Sequence, residues 1–202
     1  MKYDSKNAER IYNKYCKKYE KRTIKYAKKF LSFDINLFLG NLPGKNILDL
    51  GSGPGRDSLL FKKRGFNPLC LDISEGMLNL CKNKGLKTIK MNFENIDLNK
   101  NFDGIWSYTS LTTIPKKLAE QVIRKVYSLL NDNGIFYLGI IEGNFEGWKE
   151  PDKKYKLKRF VSRYNFNEIL NMCKNFELLY FKKISNKETG RNTYLNFMFR
   201  KI

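Results

Sequence analysis

The sequence predicts an α/β domain, a mostly parallel sheet with helices on both faces, and two observations carry that prediction. Between residues 46 and 141, short apolar runs alternate five times with amphipathic stretches, the pattern of parallel strands joined by right-handed helical crossovers. At the head of the alternation stands Asn46-Ile47-Leu48-Asp49-Leu50-Gly51-Ser52-Gly53-Pro54-Gly55-Arg56-Asp57. Ile47 to Leu50 make a short buried strand, three alternating glycines follow, and an amphipathic stretch from Asp57 to Arg64 stops at Gly65. A strand that ends in glycines and opens a helix brings bare backbone and a helix N-terminus up to a ligand.

Composition bounds the rest. The 202 residues suffice for one domain with a single core, and no repeat or low-complexity linker divides them. Hydrophobic content of 42% and aromatic content of 14% are those of a globular chain, not a disordered one. The opening Met1-Lys2-Tyr3-Asp4-Ser5-Lys6 lacks the apolar segment of a signal peptide, and no apolar run nears the roughly 20 residues of a membrane helix. A soluble, cytoplasmic protein without a membrane partner is expected. Histidine is absent and the four cysteines form no CxxC pair, so no metal site is expected and Ser-His or Cys-His catalysis is excluded. Cys70 and Cys173 lie in apolar surroundings and read as core residues. The net charge of +19 is carried by a lysine excess, which is commonly a solvated surface but leaves a nucleic-acid partner open.

Element by element, residues 1–44 read as a helical cap. Tyr12, Tyr15, Tyr19, Ile24 and Tyr26 recur at helical spacing, a second helix covers Asp34 to Leu39, and Leu42-Pro43-Gly44 turns into the first strand. The glycine spacing is GxGxG, one residue tighter than the GxGxxG of dinucleotide-binding folds. A second strand, Phe66 to Ser74, contains Asp72, 23 residues after Asp49. By itself an acid before a helix is a cap or turn residue. In register with a glycine loop it suits the two hydroxyls of an adenosine ribose. A helix over Glu75–Lys84 with Gly85 as its stop leads to a third strand, Lys87 to Met91, and to Asn92-Phe93-Glu94. Asn101 to Leu111 reads as the fourth strand and its exit loop. Pro115 opens a helix with Leu118, Val122, Val126, Leu129 and Leu130 on its apolar face, ending at Asn133-Gly134 before a strand from Gly134 to Ile141. Residues 142–164 are polar, basic and aromatic and break the alternation. A helix over Asn165–Lys174 and a hairpin of Phe176–Ile184 with Thr193–Lys201 close the chain.

Three stretches together resemble class I S-adenosylmethionine-dependent methyltransferases, of the small single-domain, tellurite-resistance-like type. The glycine run with Asp49 two residues ahead is similar to their motif I. Tyr12-Asn13-Lys14-Tyr15-Cys16-Lys17-Lys18-Tyr19 resembles the "YDxxAxxY" entry segment, and Phe102-Asp103-Gly104-Ile105-Trp106-Ser107 resembles "FDGIWA". No NPPY-type sequence of DNA amino-methylating enzymes is present. The resemblance covers about residues 10–201 and implies a Rossmann-like, seven-stranded, mostly parallel sheet with one antiparallel strand. It divides the chain into a cofactor-binding core over 45–141, a substrate-covering insertion over 142–164, and a closing helix and hairpin over 165–202.

The resemblance further implies roles. S-adenosylmethionine is the expected cofactor and S-adenosylhomocysteine its product. Gly51, Gly53 and Gly55 would underlie the methionine portion, Arg56 would meet its carboxylate, and Asp49 would face its amino group. Asp72 would hold the ribose beside Ile73, and Asn92 and Phe93 would line the adenine. Tyr19 would help close the site, and Ser107 would border it. Tyr108, Glu142 and Glu146 are the candidates for a base, and Thr113, Trp148 and Arg159 for acceptor contacts. Two positions depart from the family: Thr113 stands where many members carry histidine, and Asn92 where an acid is common. The expected activity is methyl transfer to oxygen or nitrogen of a small-molecule acceptor, by a monomer or homodimer. Two alternatives stay open: tRNA methylation, with Trp148, Tyr155 and Phe160 as stacking residues among cations, and a cofactor-binding module without transfer.

Overall fold

The computed structural model describes residues 3–151, 156–190 and 192–202, with the side chains of 24–29 and 189 also outside the description. Ile24, Tyr26 and Tyr155, named above, fall among the undescribed side chains or residues.

A helix α1 (Ser5–Phe30) and a shorter α2 (Ser32–Gly40) precede β1 (Asn46–Leu50). Then α3 (Arg56–Lys63), β2 (Asn67–Asp72), α4 (Glu75–Lys82), β3 (Lys87–Lys90), β4 (Phe102–Tyr108), α5 (Lys116–Leu129) and β5 (Leu130–Ile141) complete the alternation. The strands order as β3-β2-β1-β4-β5, all parallel, and β9 (Tyr194–Lys201) then β8 (Phe176–Ile184) extend the sheet beyond β5. β9 runs antiparallel to both of its neighbours, so seven strands share one sheet with one reversed strand. The fold is the Rossmann-like one expected.

Alternation along each strand sorts the core. Leu48, Ile105, Phe136 and Phe197 point to the face covered by α5 and α6 (Phe166–Met172). Ile47, Trp106, Tyr137 and Met198 point to the other, where Ile35 and Phe38 of α2 and Phe61 of α3 meet them. Trp106 stacks on Tyr137 with ring centroids 3.8 Å apart. On this face the buried Asp34 of α2 accepts hydrogen bonds from Tyr137 (2.9 Å), Tyr180 (2.9 Å) and Asn196 (2.8 Å), tying the N-terminal helices to three strands.

Three local expectations change. α5 ends at Leu129, and Leu130 is a strand residue rather than a helical one, pairing with Phe102 and fully buried. The ladder then shifts register between Phe102 and Gly104, with Asn133 in the left-handed region at φ 59°, so Asn133-Gly134 is a bulge within β5 and not a helix stop. The segment 142–164 contains an antiparallel pair, β6 (Glu146–Lys149) and β7 (Arg159–Ser162). A single turn, α7 (Asn186–Thr189), also interrupts the closing hairpin, held by a capping box between Ser185 and Glu188. No helix among the described residues is long and apolar enough to cross a membrane.

Candidate functional site

The carboxyl ends of β1, β2 and β4 open onto one cleft, the edge where parallel sheets bind ligands. Its floor is the glycine loop. Gly51, Gly53 and Gly55 take φ of 74°, 52° and 73°, a region side chains disfavour. The N–H groups of Gly51 and Ser52 both donate to Leu71 O, at 2.8 and 3.0 Å, which fastens the loop to β2. A Cβ on Gly51 would overlap Ser110 and lie 3.1 Å from Phe93 Cζ, so bare backbone is the wall there. A Cβ on Gly55 would instead strike Leu86 and Cys81 of the layer behind, at 2.6 and 2.8 Å. Gly55 therefore shapes the turn and does not line the cleft.

The two halves of the cleft differ in chemistry. One half is walled by Tyr3, Ala8, Tyr12, Ile73, Met77, Met91, Asn92 and Phe93, with the Asp72 carboxylate as its acid. Asp72 accepts from the N–H of Gly53 and of Ser74, both at 2.9 Å. Its burial nevertheless pushes the carboxyl up to about 6. An apolar slot with one carboxylate at the end of the second strand fits an adenosine group, and the residues present match it. Asn92 is turned toward the N-terminus of α1, donating to Ser5 Oγ at 2.9 Å and to Glu94 at 3.1 Å, while its Oδ1 caps the turn at Glu94.

The other half is polar and carries Asp49, Arg56, Tyr194 and the cations Arg22, Lys149, Arg159 and Arg163. Asp49 is buried and accepts from Ser58 Oγ at 2.7 Å. Desolvation, with Cys70 and Asp57 nearby, holds its carboxyl well above the ordinary range. Arg56 grips Asp57 in two hydrogen bonds of 2.7 and 2.6 Å, and Trp106 Nε1 donates to the same Asp57 at 3.1 Å. Tyr12, Tyr19, Gly51, Gly53, Tyr108, Thr109 and Thr113 border both halves.

Of the expected residues, Tyr19, Asp49, Gly51, Gly53, Arg56, Asp72, Ile73, Asn92, Phe93, Tyr108, Thr113 and Arg159 are brought together around the cleft. Others lie off it. Ser107 is buried behind the wall, its hydroxyl 2.6 Å from that of Ser110. Glu142 pairs with Lys183 at 2.7 Å, and Glu146 accepts from the backbone N–H of Lys116 at 2.8 Å, so neither borders the cleft. Trp148 packs edge-on against Phe160, in a small recess next door. Tyr3, Ala8, Met77, Met91 and Arg163 line the cleft without having been expected. Met91 carries the one signal available, since it directly precedes Asn92 where β3 ends.

Residues 47–134 match the family model described as a methyltransferase domain. That segment, running from β1 into β5, is similar to a methyltransferase domain. Among curated proteins no sequence matches. Solved structures share the domain's fold at low identity. A Burkholderia thailandensis 1,6-didemethyltoxoflavin-N1-methyltransferase, with 1,6-didemethyltoxoflavin and S-adenosylhomocysteine bound, is 16% identical with a TM-score of 0.74, covering 100% of this chain and 91% of that one. An S-adenosylmethionine-dependent methyltransferase from Clostridium acetobutylicum is 17% identical with a TM-score of 0.72, covering 92% and 98%. TehB from Haemophilus influenzae is 18% identical with a TM-score of 0.68; the match covers 88% of this chain and 66% of TehB.

Proposed function

We propose that the protein transfers a methyl group from S-adenosylmethionine to an oxygen or nitrogen of a small-molecule acceptor. One observation carries this: a single cleft joins an apolar slot with a buried carboxylate, Asp72, to a polar chamber, across bare glycine backbone in a methyltransferase domain. Asp72 accepts from the ribose hydroxyls, Ile73 and Phe93 sandwich the base, and Asn92 stands near its amino group. Gly51 and Gly53 approach the methionine chain, whose carboxylate Arg56 meets and whose amino group Asp49 faces. Residues 45–141 thus hold the cofactor, and 142–164 cover the acceptor.

When bound, the cofactor would supply an electrophilic methyl carbon on a sulfonium, which an acceptor lone pair could take with a neutral thioether as leaving group. The chain's task is alignment and exclusion of water, which contributes about 7–11 kcal/mol in well-oriented reactions. Tyr19, Tyr108 and Thr113, at the junction of the halves, do the aligning. Tyr108 is the remaining base candidate, because Glu142 and Glu146 are engaged elsewhere. The toxoflavin-type enzyme and a glycopeptide N-methyltransferase, MtfA, at 13% identity and TM-score 0.63, lend support by fold to a non-nucleic-acid acceptor. The +19 charge favours tRNA as a second acceptor. Against it, Phe160 is occupied edge-on by both Trp148 and Tyr3, which leaves a poor stacking platform.

Calorimetric titration with S-adenosylhomocysteine tests the cofactor half. Micromolar binding to the wild type, lost in Asp72→Ala, is expected; no binding to the wild type would remove the basis of the assignment.

A further inference from the structure

We infer that Thr109 contacts the reactive centre of the cofactor, its hydroxyl oxygen serving the sulfonium and its methyl group where the two halves of the cleft meet. The inference rests on the cofactor assignment above and adds to it a residue that tells the methyl donor from its demethylated product.

Thr109 follows directly on β4 and holds φ at 61°. Among the described residues other than glycine, only Asn133 shares this left-handed region. Asparagine tolerates it; a β-branched side chain does not, and such outliers persist where the surrounding bonds over-determine them. Both backbone groups of Thr109 are bound in this way. Its N–H donates to Gly139 O at 2.7 Å, and its carbonyl accepts from Thr112 Oγ1 at 2.6 Å. Glycine would adopt the same backbone without strain. What glycine would lack is the side chain, and Thr109 lines both halves of the cleft.

The chemistry of the junction gives that side chain its role. In S-adenosylmethionine the sulfonium joins the adenosine to the methionine chain. A cofactor with its ribose at Asp72 and its carboxylate at Arg56 therefore brings the sulfur to the residues that border both halves. Those with polar side chains are Tyr12, Tyr19, Tyr108, Thr109 and Thr113. The tyrosine rings are held by other rings: Tyr12 meets Tyr19 edge-on at 6.0 Å, and Tyr108 stacks on Tyr194 at 6.1 Å. Thr113 Oγ1 is turned to Ser110 O, to which it donates at 2.8 Å. The Thr109 hydroxyl makes no hydrogen bond among the described residues, so its lone pairs are left for a ligand. A sulfonium carries a full positive charge and polarises the C–H bonds of its methyl group, which then donate weakly to such an oxygen. S-adenosylhomocysteine is neutral at that sulfur and has no methyl group there. The hydroxyl thus favours the donor over the product.

The test is calorimetric titration of the full chain with S-adenosylmethionine and, separately, with S-adenosylhomocysteine. Thr109→Val keeps the shape of the side chain and removes the hydroxyl. It should weaken S-adenosylmethionine about fivefold and S-adenosylhomocysteine by less than about twofold. Thr109→Ser restores the hydroxyl and should keep the wild-type preference between the two ligands. Thr109→Gly should lose the preference as Thr109→Val does. Its melting temperature should stay close to that of the wild type, because relief of strain offsets the greater freedom of glycine in the unfolded chain. Should Thr109→Val fail to fold, Thr109→Gly carries the comparison. A preference that the loss of the hydroxyl leaves unaltered overturns the inference and leaves the cofactor assignment standing. An equal loss of both ligands in Thr109→Val does the same, since it would make the side chain a packing residue. A wild type that binds neither ligand removes the cofactor assignment, and the role of Thr109 falls with it.

Discussion

At the residue scale, Asp72 joins recognition to electrostatics. Burial outweighs its backbone donors and pushes its carboxyl out of the usual carboxylate range, up to about 6 in the folded protein. A raised carboxyl takes up its proton first in the folded state, so its stabilising contribution is complete below the unfolded value and is lost as pH rises through about 6. On the proposed assignment, ribose hydroxyls would donate to the ionised form. S-adenosylhomocysteine affinity should therefore fall about tenfold from about pH 8 to about pH 5, with the break near 6. Asp72→Asn should bind weakly with no such break, and a wild-type profile flat across that range would refute the ribose assignment. Gly51 makes a second residue-scale case. Gly51→Ala combines a left-handed φ of 74° with overlap on Ser110, and should destabilise the fold by about 2–4 kcal/mol and abolish cofactor binding. Gly65→Ala, at φ 82° but with open space around it, should cost only about 1 kcal/mol in urea melts and leave binding intact.

At the scale of elements, what the chain discloses depends on how local the cause is. β1, the glycine turn and α3 are legible because Ile47 to Gly65 carry their own strand pattern, punctuation and helix stop. Leu130 is not: it continues the apolar spacing of α5, and only its pairing with Phe102, distant in sequence, makes it a strand residue. β6 and β7 are four residues each, too short for alternation to register, and they pair across a polar stretch. Glu142 and Glu146 fall on the expected edge of the sheet, yet Lys183 and the Lys116 N–H decide where their carboxylates go. The docking of α1 is tertiary in the same way. Asn13 Oδ1 accepts from Ser74 Oγ at 2.7 Å and from Gly76 N–H at 2.8 Å, seating α1 on the start of α4. That contact positions Tyr12 and Tyr19 over the cleft. Asn13→Ala should loosen α1 by about 1–2 kcal/mol, seen as faster amide exchange over residues 5–23. Cofactor affinity should drop severalfold while the global melt moves little. Unchanged exchange in α1 would mean the helix is held by its apolar contacts alone.

At the scale of the whole molecule, the alternation and the final strand pair account for seven strands, whereas their order, β3-β2-β1-β4-β5-β9-β8, is set by tertiary packing. The net charge has a consequence that no single contact reveals. With 39 basic and 20 acidic side chains, cations outnumber acids by 19, and compaction brings like charges within a Debye length of one another. Screening that repulsion favours the folded state. The melting temperature of the ligand-free protein should rise by several degrees between about 0.02 M and about 0.3 M sodium chloride, as measured by differential scanning fluorimetry. A melting temperature that is flat or falls with salt would mean that surface ion pairs such as Lys82–Glu75 and Lys183–Glu142 outweigh the excess charge.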